Sequence, residues 1–281
     1  MPRLINTAEL VPLVADLIID ACCNINDDNV TALKESLNKE ESPYGKDALA
    51  MIIENICVAK KEKIAVCQDT GSCVIFMEIG QEVSWQGEGL VAAINEGVRR
   101  GYTAGFLRKS IVRDPLDRIN TGDNTPAVLH TEITGGSEVK ITVLPKGGGS
   151  ENMGAFTTLS PSAGKEGIQD FVLKTMLCAG GKPCPPVILG IGLGGTMDYC
   201  AFLAKKALIR PLAERNKNPF YAEFEQTLLD ALNNLGIGPL GMGGRISALA
   251  VHIEQYPCHI TALPVALCFQ CHAARYKSIV I

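Results

Sequence analysis

Side chains able to bind metals are concentrated near the end of the sequence, in residues 257–275. These nineteen residues contain two of the four histidines, three of the eleven cysteines and one arginine. Thiolates and imidazoles suit a metal or cluster site better than an apolar core. No pair within the segment supplies the four ligands of a closed metal site. We therefore expect further ligands from earlier parts of the chain.

The composition is typical of a globular enzyme. Of 281 residues, 47% are apolar and 20% are charged, and the net charge of −4 lacks the basic footprint of nucleic-acid binding. No apolar run approaches the roughly 18 to 20 residues that cross a bilayer, and the N-terminal residues do not resemble a secretory leader. We expect a cytoplasmic protein in which the odd number of cysteines, eleven, does not form a disulfide framework.

Hydrophobic periodicity predicts helices that alternate with short strands. A first helix is expected over residues 7–23, capped by Asn6 or Thr7. The other expected helices cover residues 29–39, 45–60, 87–99, 104–110, 167–178, 197–208 and 220–235. The expected strands cover residues 64–66, 73–79, 128–133, 138–144, 187–193, 246–253 and 260–269, with a hairpin at Gly135-Gly136. Because neither a repeat nor a linker is visible, we predict one mixed α/β domain, residues 1–281, with a mixed sheet flanked by helices.

Two glycine runs invite a phosphate-binding interpretation that their details do not favour. Lys146 precedes Gly147-Gly148-Gly149, whereas a P-loop places the lysine after its glycines. This run is either a tight loop with positive φ or a set of N–H groups presented to an anion. Residues 190–195 fit the GxGxxG spacing, but an acidic residue ending a second strand is missing. Close packing of a strand on a helix is the favoured interpretation.

Three cysteines lie in predicted loops beside polar or rigid residues: Cys67, Cys184 and Cys271. Cys67 precedes Gln68-Asp69, which a core would leave unpartnered, and Cys184 lies between prolines. Other cysteines fall in helical patterns, namely Cys22, Cys23, Cys57 and Cys200. Three thiolates suit a [4Fe–4S] cluster with one open iron, which acts as a Lewis acid. Buried structural thiols are the alternative.

Five motifs, in this order, resemble those of the α subunits of iron–sulfur hydro-lyases of the class I fumarase and L-tartrate dehydratase type. They lie at residues 67–71, 120–127, 146–152, 179–186 and 270–275. The similarity extends from near residue 5 to the C-terminus. It implies the fold of that α subunit and the reversible addition of water across a dicarboxylate double bond, as in fumarate to (S)-malate.

The resemblance also implies roles for individual residues. A [4Fe–4S] cluster would be held by Cys67, Cys184 and Cys271. Gln68, Arg108 and Gly149 would bind the substrate, and Asp69 and His259 would be the catalytic residues. Arginine binds a carboxylate bidentately, and aspartate and histidine can relay protons near neutral pH. Each has a structural alternative, such as a surface charge for Arg108 and a satisfied core histidine for His259.

Family members with a single chain carry a second domain, whereas this sequence ends at Ile281, ten residues after Cys271. The resemblance therefore implies a separate β subunit, an α2β2 assembly and no activity without the partner. We expect fumarate as the substrate, since residues 146–152 are similar to the fumarase version, with L-tartrate as the alternative. Two other classes stay open. One is a redox or sensor protein with Cys268 as a fourth ligand, and the other is a structural zinc protein.

Overall fold

The structure, a computed structural model, describes residues 2–281. These residues fall into two units, each assembled from separate stretches of chain. The first unit comprises the residues up to Ile25 together with Ile56–Gly148 and Arg275–Ile281, and the second comprises Asn26–Asn55 and Gly149–Ala274.

Helices and strands are interspersed along the chain. The α-helices are α1 (Thr7–Cys23), α2 (Asp27–Lys39), α3 (Pro43–Glu62), α4 (Leu90–Ala104), α5 (Gly148–Glu151), α6 (Gly164–Ala179), α7 (Met197–Ala207) and α8 (Pro219–Asn233). The strands are β1 (Arg3–Asn6), β2 (Ser72–Gly80), β3 (Val83–Gln86), β4 (Val128–Thr134), β5 (Val139–Lys146), β6 (Ala155–Leu159), β7 (Val187–Gly194), β8 (Ala248–Tyr256), β9 (Leu263–Gln270) and β10 (Lys277–Val280). The predicted mixed α/β class is confirmed.

The first unit is built on a mixed sheet of order β10-β5-β2-β4, with β1 and β3 paired beside it as a separate parallel ribbon. Helix α1 begins where sequence predicts, because the Asn6 side chain accepts a hydrogen bond from the Ala8 N–H at 3.0 Å. Its apolar stripe of Leu10, Val14 and Ile18 is fully buried in a core shared with the sheet. Helix α4 packs closely on α1 because glycine faces it: a Cβ on Gly97 would lie 3.0 Å from the Val11 oxygen.

The predicted hairpin at Gly135-Gly136 is wrong. Strands β4 and β5 do not pair with each other, since β2 lies between them, parallel to β4 and antiparallel to β5. The turn at 135–136 therefore crosses the end of β2, and the Gln81 N–H donates to the Thr134 oxygen at 2.8 Å. Alternation of apolar residues marks both strands, but it does not tell which strands are neighbours.

The second unit is built on a mixed sheet of order β6-β9-β7-β8. Strand β7 is buried along its whole length, parallel to β8 and antiparallel to β9. Its side chains share a core with Phe224 and Leu228 of α8 and Val172 of α6. A strand in the middle of a sheet with both faces covered is expected to read as a continuous apolar run, as this one does.

The GxGxxG run belongs to this packing, as the sequence favours. A Cβ on Gly190 would lie 2.1 Å from the Ala204 oxygen, and one on Gly192 would lie 2.0 Å from the Cys200 oxygen. The two glycines therefore let α7 approach β7 at a distance that no other residue allows.

Two further expectations about elements are wrong. Residues 64–66 form no strand, and residues 104–110 form no helix, because α4 ends at Ala104 and Phe106 adopts a positive φ of 52°. Four short strands were not predicted: β1, β3, β6 and β10. Among residues 2–281, no helix has both the length and the apolar character needed to cross a bilayer.

Candidate active site

The loop that carries Cys67, Gln68 and Asp69 is fixed at several points within the first unit. The Oδ2 atom of Asp69 accepts a hydrogen bond from the Gly148 N–H at 2.8 Å. The main-chain oxygen of Asp69 accepts one from Nη1 of Arg275 at 2.7 Å. Asp69 is half-buried and Gln68 is exposed. The carboxylate therefore stands at the surface of this unit in a fixed orientation.

The end of the same loop is held by residues from two other segments. The hydroxyl of buried Tyr102 lies 3.2 Å from the Thr70 oxygen and 3.0 Å from the Gly71 oxygen. Nδ2 of Asn124 also donates to the Gly71 oxygen, at 3.1 Å, and its side chain is fully buried. Gly71 has a φ of +72°, and a Cβ there would lie 2.0 Å from the Lys146 oxygen.

Arg108 lies on an exposed loop beside these residues. The Thr70 hydroxyl donates to the Arg108 main-chain oxygen at 3.1 Å, and the Ser110 N–H donates to Oδ1 of Asn124 at 2.6 Å. The Arg108 guanidinium is thus carried on a backbone tied to the loop of Asp69, with an exposed side chain free of any helix. This placement suits a cation that meets an incoming carboxylate.

The glycine run after Lys146 is not a loop with positive φ. None of Gly147, Gly148 and Gly149 has that conformation, and the run opens the single turn α5. The N–H of Gly148 is presented to an anion, as one of the two sequence interpretations has it, and the anion is the chain's own Asp69.

Cys184, in the second unit, is held by its backbone. It has a φ of 55°, unusual for any residue other than glycine, and its N–H donates to the Gly181 oxygen at 3.0 Å. Buried prolines stand on both sides at Pro183 and Pro185, and the Pro185 oxygen accepts from the Leu240 N–H at 2.8 Å. The thiol itself belongs to an exposed residue.

The segment of Cys271 is tied to the segment of Cys184 by one neighbour. His272 directs both its N–H, at 3.3 Å, and its Nδ1 atom, at 3.0 Å, to the Cys184 oxygen. That carbonyl accepts the Nδ1 proton, which leaves Nε2 as the unprotonated nitrogen of the neutral ring. Within this unit, therefore, two of the three predicted ligands belong to loops that share a hydrogen-bonded contact.

One predicted catalytic residue, His259, and one predicted substrate-binding residue, Gly149, also lie in the second unit. His259 is exposed in the connection between β8 and β9, where its Nδ1 accepts the Thr261 N–H at 3.2 Å. This contact favours the tautomer with the proton on Nε2. Gly149 is exposed as well, and a Cβ there would lie 3.4 Å from the Lys182 oxygen, two residues before Cys184. His259 is therefore not a buried core histidine.

Four of the other cysteines, Cys22, Cys23, Cys73 and Cys200, are buried thiols. Burial raises the pKa of the Cys22 thiol to about 12 and that of the Cys200 thiol to about 11. It also raises the pKa of Cys23 and of Cys73. Such thiols stay protonated, whereas metal ligation needs the thiolate. The three predicted ligands instead lie outside helices and strands and are half-buried or exposed. That donor set fits an iron–sulfur cluster.

The predicted residues divide between the units. Cys67, Gln68, Asp69 and Arg108 belong to the first unit, and Gly149, Cys184, His259 and Cys271 belong to the second. Over residues 2–281, neither unit by itself gathers three or more His, Cys, Asp or Glu side chains into a metal-holding group. Each unit thus contributes part of the predicted ligand set, and the set itself stays a prediction. Cys268, the fourth ligand of the redox alternative, is buried in β9 with 5% of its surface exposed.

Sequence reasoning assigned no role to Tyr102, Asn124 or Arg275. Two of them were within reach, since Asn124 and Arg275 lie inside motifs that carry the family resemblance. The sequence signal for Tyr102 is limited to its position on the apolar stripe of α4. Its contact with the 67–71 loop depends on tertiary packing.

A comparison of the sequence with protein families agrees with the mixed α/β fold, the loop cysteines and the oriented Asp69 carboxylate. The sequence model of the fumarate hydratase (Fumerase) family matches residues 11–280, and the chain belongs to that family. Membership implies a hydro-lyase that depends on an iron–sulfur centre.

Individual relatives are named for a different substrate. A protein of Methanocaldococcus jannaschii, provisionally named L(+)-tartrate dehydratase subunit alpha, is 42% identical over 269 residues, covering 94% of each chain. The L(+)-tartrate dehydratase subunit alpha of Escherichia coli K12 is 32% identical over 277 residues, covering 97% of this chain and 91% of its own. The corresponding protein of Escherichia coli strain UTI89 is 33% identical over 271 residues.

Proposed function

We propose that this chain is the alpha subunit of a hydro-lyase acting on a four-carbon dicarboxylate, with L(+)-tartrate as the first candidate substrate. The observation that carries the proposal is the 42% identity, over 94% of both chains, to a relative named for that enzyme. It reverses the preference for fumarate that residues 146–152 give in the sequence.

The proposed ligands of the [4Fe–4S] cluster are Cys67, Cys184 and Cys271. When bound by three thiolates, such a cluster supplies a Lewis-acidic iron that withdraws a hydroxyl group. All three cysteines lie in loops, and none is fully buried.

Three groups of the chain suit the binding of a dicarboxylate. Arg108 offers a planar guanidinium that pairs bidentately with one carboxylate, and it is exposed to receive it. Gln68 adds an amide donor from the loop of Cys67, and Gly149 adds an exposed position where the substrate approaches the main chain closely. These contacts orient the substrate and contribute binding energy before any bond changes.

Asp69 and His259 are the proposed proton-transfer groups. Dehydration of tartrate breaks a C–H bond and the neighbouring C–OH bond, so that a proton and a hydroxyl leave as water and the remaining enol becomes oxaloacetate. Asp69 is oriented by the Gly148 N–H and accepts the carbon-bound proton. His259, with its proton on Nε2, donates to the departing hydroxyl.

The partner is a beta subunit. The relatives are named subunit alpha, and the proposed substrate groups on this chain include one arginine for two carboxylates. We propose that the beta subunit completes the pocket, that the assembly is α2β2, and that the alpha chain alone is inactive.

The test is an assay of the chain co-produced with its beta subunit and loaded with iron and sulfide without oxygen. We expect kcat/KM for L(+)-tartrate to exceed that for (S)-malate by at least about tenfold, or about 1.4 kcal/mol of transition-state discrimination. Oxaloacetate formation reports the first reaction, and fumarate absorbance reports the second. A fully loaded complex that dehydrates neither compound would show the proposal to be wrong.

Fumarate is the second candidate, and one observation favours it. Ser150 and Asn152 follow the glycine run as in the fumarase version, and the family model is itself described as fumarate hydratase. If kcat/KM for fumarate exceeds that for tartrate in the same assay, fumarate takes the first place. Mesaconate serves as the third substrate, because its methyl group tests the size of the pocket.

A further inference from the structure

Arg275 is a buried arginine with a defined hydrogen-bond acceptor. Only 2% of its surface is exposed, and its Nη1 atom donates to the Asp69 main-chain oxygen at 2.7 Å. Burying a guanidinium is costly unless good hydrogen-bond acceptors meet it. The acceptor found here is the main chain of Asp69, the proposed proton acceptor.

Gly147 leaves room for both the Arg275 guanidinium and the Asp69 carboxylate. A Cβ on Gly147 would lie 3.1 Å from Nη2 of Arg275 and 3.2 Å from Oδ2 of Asp69. The adjacent Gly148 N–H then fixes Oδ2 at 2.8 Å. Asp69 is thereby held twice, through its backbone by Arg275 and through its carboxylate by Gly148.

A second brace acts one residue further along the loop. The hydroxyl of Tyr102, which is fully buried, reaches the Thr70 and Gly71 oxygens at 3.2 and 3.0 Å. Three successive main-chain oxygens, those of residues 69, 70 and 71, therefore accept hydrogen bonds from buried side chains. A peptide backbone held at consecutive carbonyls has little freedom to rotate.

We propose that Arg275 is a positioning residue for the hydro-lyase reaction, holding the main chain of Asp69 so that its carboxylate meets the substrate in one orientation. The inference rests on the proposed function, since it needs Asp69 to act in proton transfer. Arg275 does not touch the substrate, because it is buried. Its effect passes through the peptide that follows Asp69, where a displacement of about 1 Å costs about a hundredfold in rate.

Arg275→Lys in the loaded alpha–beta complex tests this role. Lysine keeps the charge but offers a point donor in place of the planar fork, so that the Asp69 carbonyl is held less firmly. We expect kcat to fall by about ten- to a hundredfold while KM changes by less than about twofold. Arg210→Lys is the matched control, because Arg210 is the partly buried arginine of the second unit, paired with Glu225 and Glu254.

Hydrogen exchange at the Gly148 amide tests the same role without an activity measurement. Its N–H bonds directly to Oδ2 of Asp69, so its hydrogen-exchange rate reports how well that carboxylate is held. We expect exchange at Gly148 to rise by about tenfold in Arg275→Lys and to stay unchanged in Arg210→Lys. If Arg275→Lys does not fold, Tyr102→Phe replaces it, with the same direction and a smaller rise.

The outcomes separate this inference from the proposed function. Unchanged exchange at Gly148 overturns the inference, as does faster exchange without a loss of kcat, or a rise in KM at constant kcat. If the wild-type complex acts on neither tartrate nor malate, the proposed function fails. The exchange measurement then still decides whether Arg275 holds Asp69.

Discussion

The loops that carry Cys67 and Cys184 are stabilised in different ways. The Cys67 loop of the first unit is held from outside by side chains, since Arg275, Tyr102 and Asn124 all donate to its carbonyls. The Cys184 loop of the second unit is held by its own backbone, through a positive φ and flanking prolines. A loop held by side chains can be loosened one atom at a time. A loop held by backbone conformation fails mainly when packing around it is disturbed.

The largest effect is expected at the predicted ligand thiols, where the two loops should respond equally to a substitution. Cys67→Ser and Cys184→Ser should each lower activity by about a thousandfold or more, because the Lewis-acid contribution of several kcal/mol is lost whichever loop is altered. Cys178→Ser, at an exposed cysteine on α6, is the control and should keep full iron content and activity. Iron analysis and turnover measure the result. Full activity in either ligand variant would remove that cysteine from the proposed cluster.

The next largest effect is expected at Glu40, which follows α2 and connects it to residues 245–246 of the second unit. This buried carboxylate accepts the N–H groups of Arg245 and Ile246, at 2.9 and 2.7 Å, as well as those of Glu41 and Ser42. We expect Glu40→Gln to lower the free energy of unfolding by about 3 kcal/mol at pH 7, since the charge is lost and the amide nitrogen that replaces one carboxylate oxygen cannot accept the N–H donors facing that oxygen. Denaturant titration measures the loss, and Glu41→Gln, at an exposed neighbour, is the control.

The same carboxylate gives a pH dependence. Burial alone would raise the pKa of Glu40, but the backbone N–H donors from Ile246, Arg245, Ser42 and Glu41 outweigh it and lower the pKa below its ordinary value. Its contribution is therefore present above the unfolded pKa and is lost as the pH falls through the lower folded pKa. Wild type should lose stability relative to Glu40→Gln as the pH falls below about 4. A constant difference between the two proteins down to pH 2 would contradict this.

A smaller effect, of about 2 kcal/mol, is expected for Gly241→Ala. Gly241 has a φ of +75°, and its added Cβ would lie 2.7 Å from the Cα of Gly181, in the loop before Cys184. Gly243→Ala is a matched control, because its φ of +80° carries the same strain while nothing lies within 4 Å. The difference in unfolding free energy between the two variants isolates packing on the Cys184 loop. Equal losses would mean that the loop moves aside without cost.

The smallest effect is expected for His272→Gln. The ring contact to the Cys184 oxygen is lost or weakened, while the His272 N–H still donates to the same atom. We expect a loss of about 1 kcal/mol, seen as about a fivefold faster release of iron from the loaded protein. Such a small change would sharpen the contrast with Arg275→Lys, because a backbone-held loop keeps its shape when one side chain is replaced. A change as large as that of Arg275→Lys would abolish the contrast.

Sequence reasoning located the elements that carry strong periodicity and failed where the third dimension decides. Helix α1 was predicted with both of its ends, because its apolar stripe and the Asn6 cap are local signals. The insertion of β2 between β4 and β5 was missed, since pairing partners leave no local trace. In the site, resemblance to the family motifs pointed to Asp69. Its supports became visible only in the structure, because Arg275 lies 206 positions from Asp69 in the sequence, and Tyr102 lies 32 and 31 positions from Thr70 and Gly71.

The make-up of the first unit has a consequence for how the protein is synthesised. Its sheet takes β10 from Lys277–Val280, and the Asp69 carbonyl takes its guanidinium from Arg275, so both parts are translated only after the whole of the second unit. Domains fold as units while a chain emerges from the ribosome, but here one edge strand and one supporting side chain are missing until residues 275–280 have been synthesised. The loop of Cys67 therefore reaches its final form only after Arg275 has been synthesised, and a shorter nascent chain would be a poor recipient for iron and sulfide.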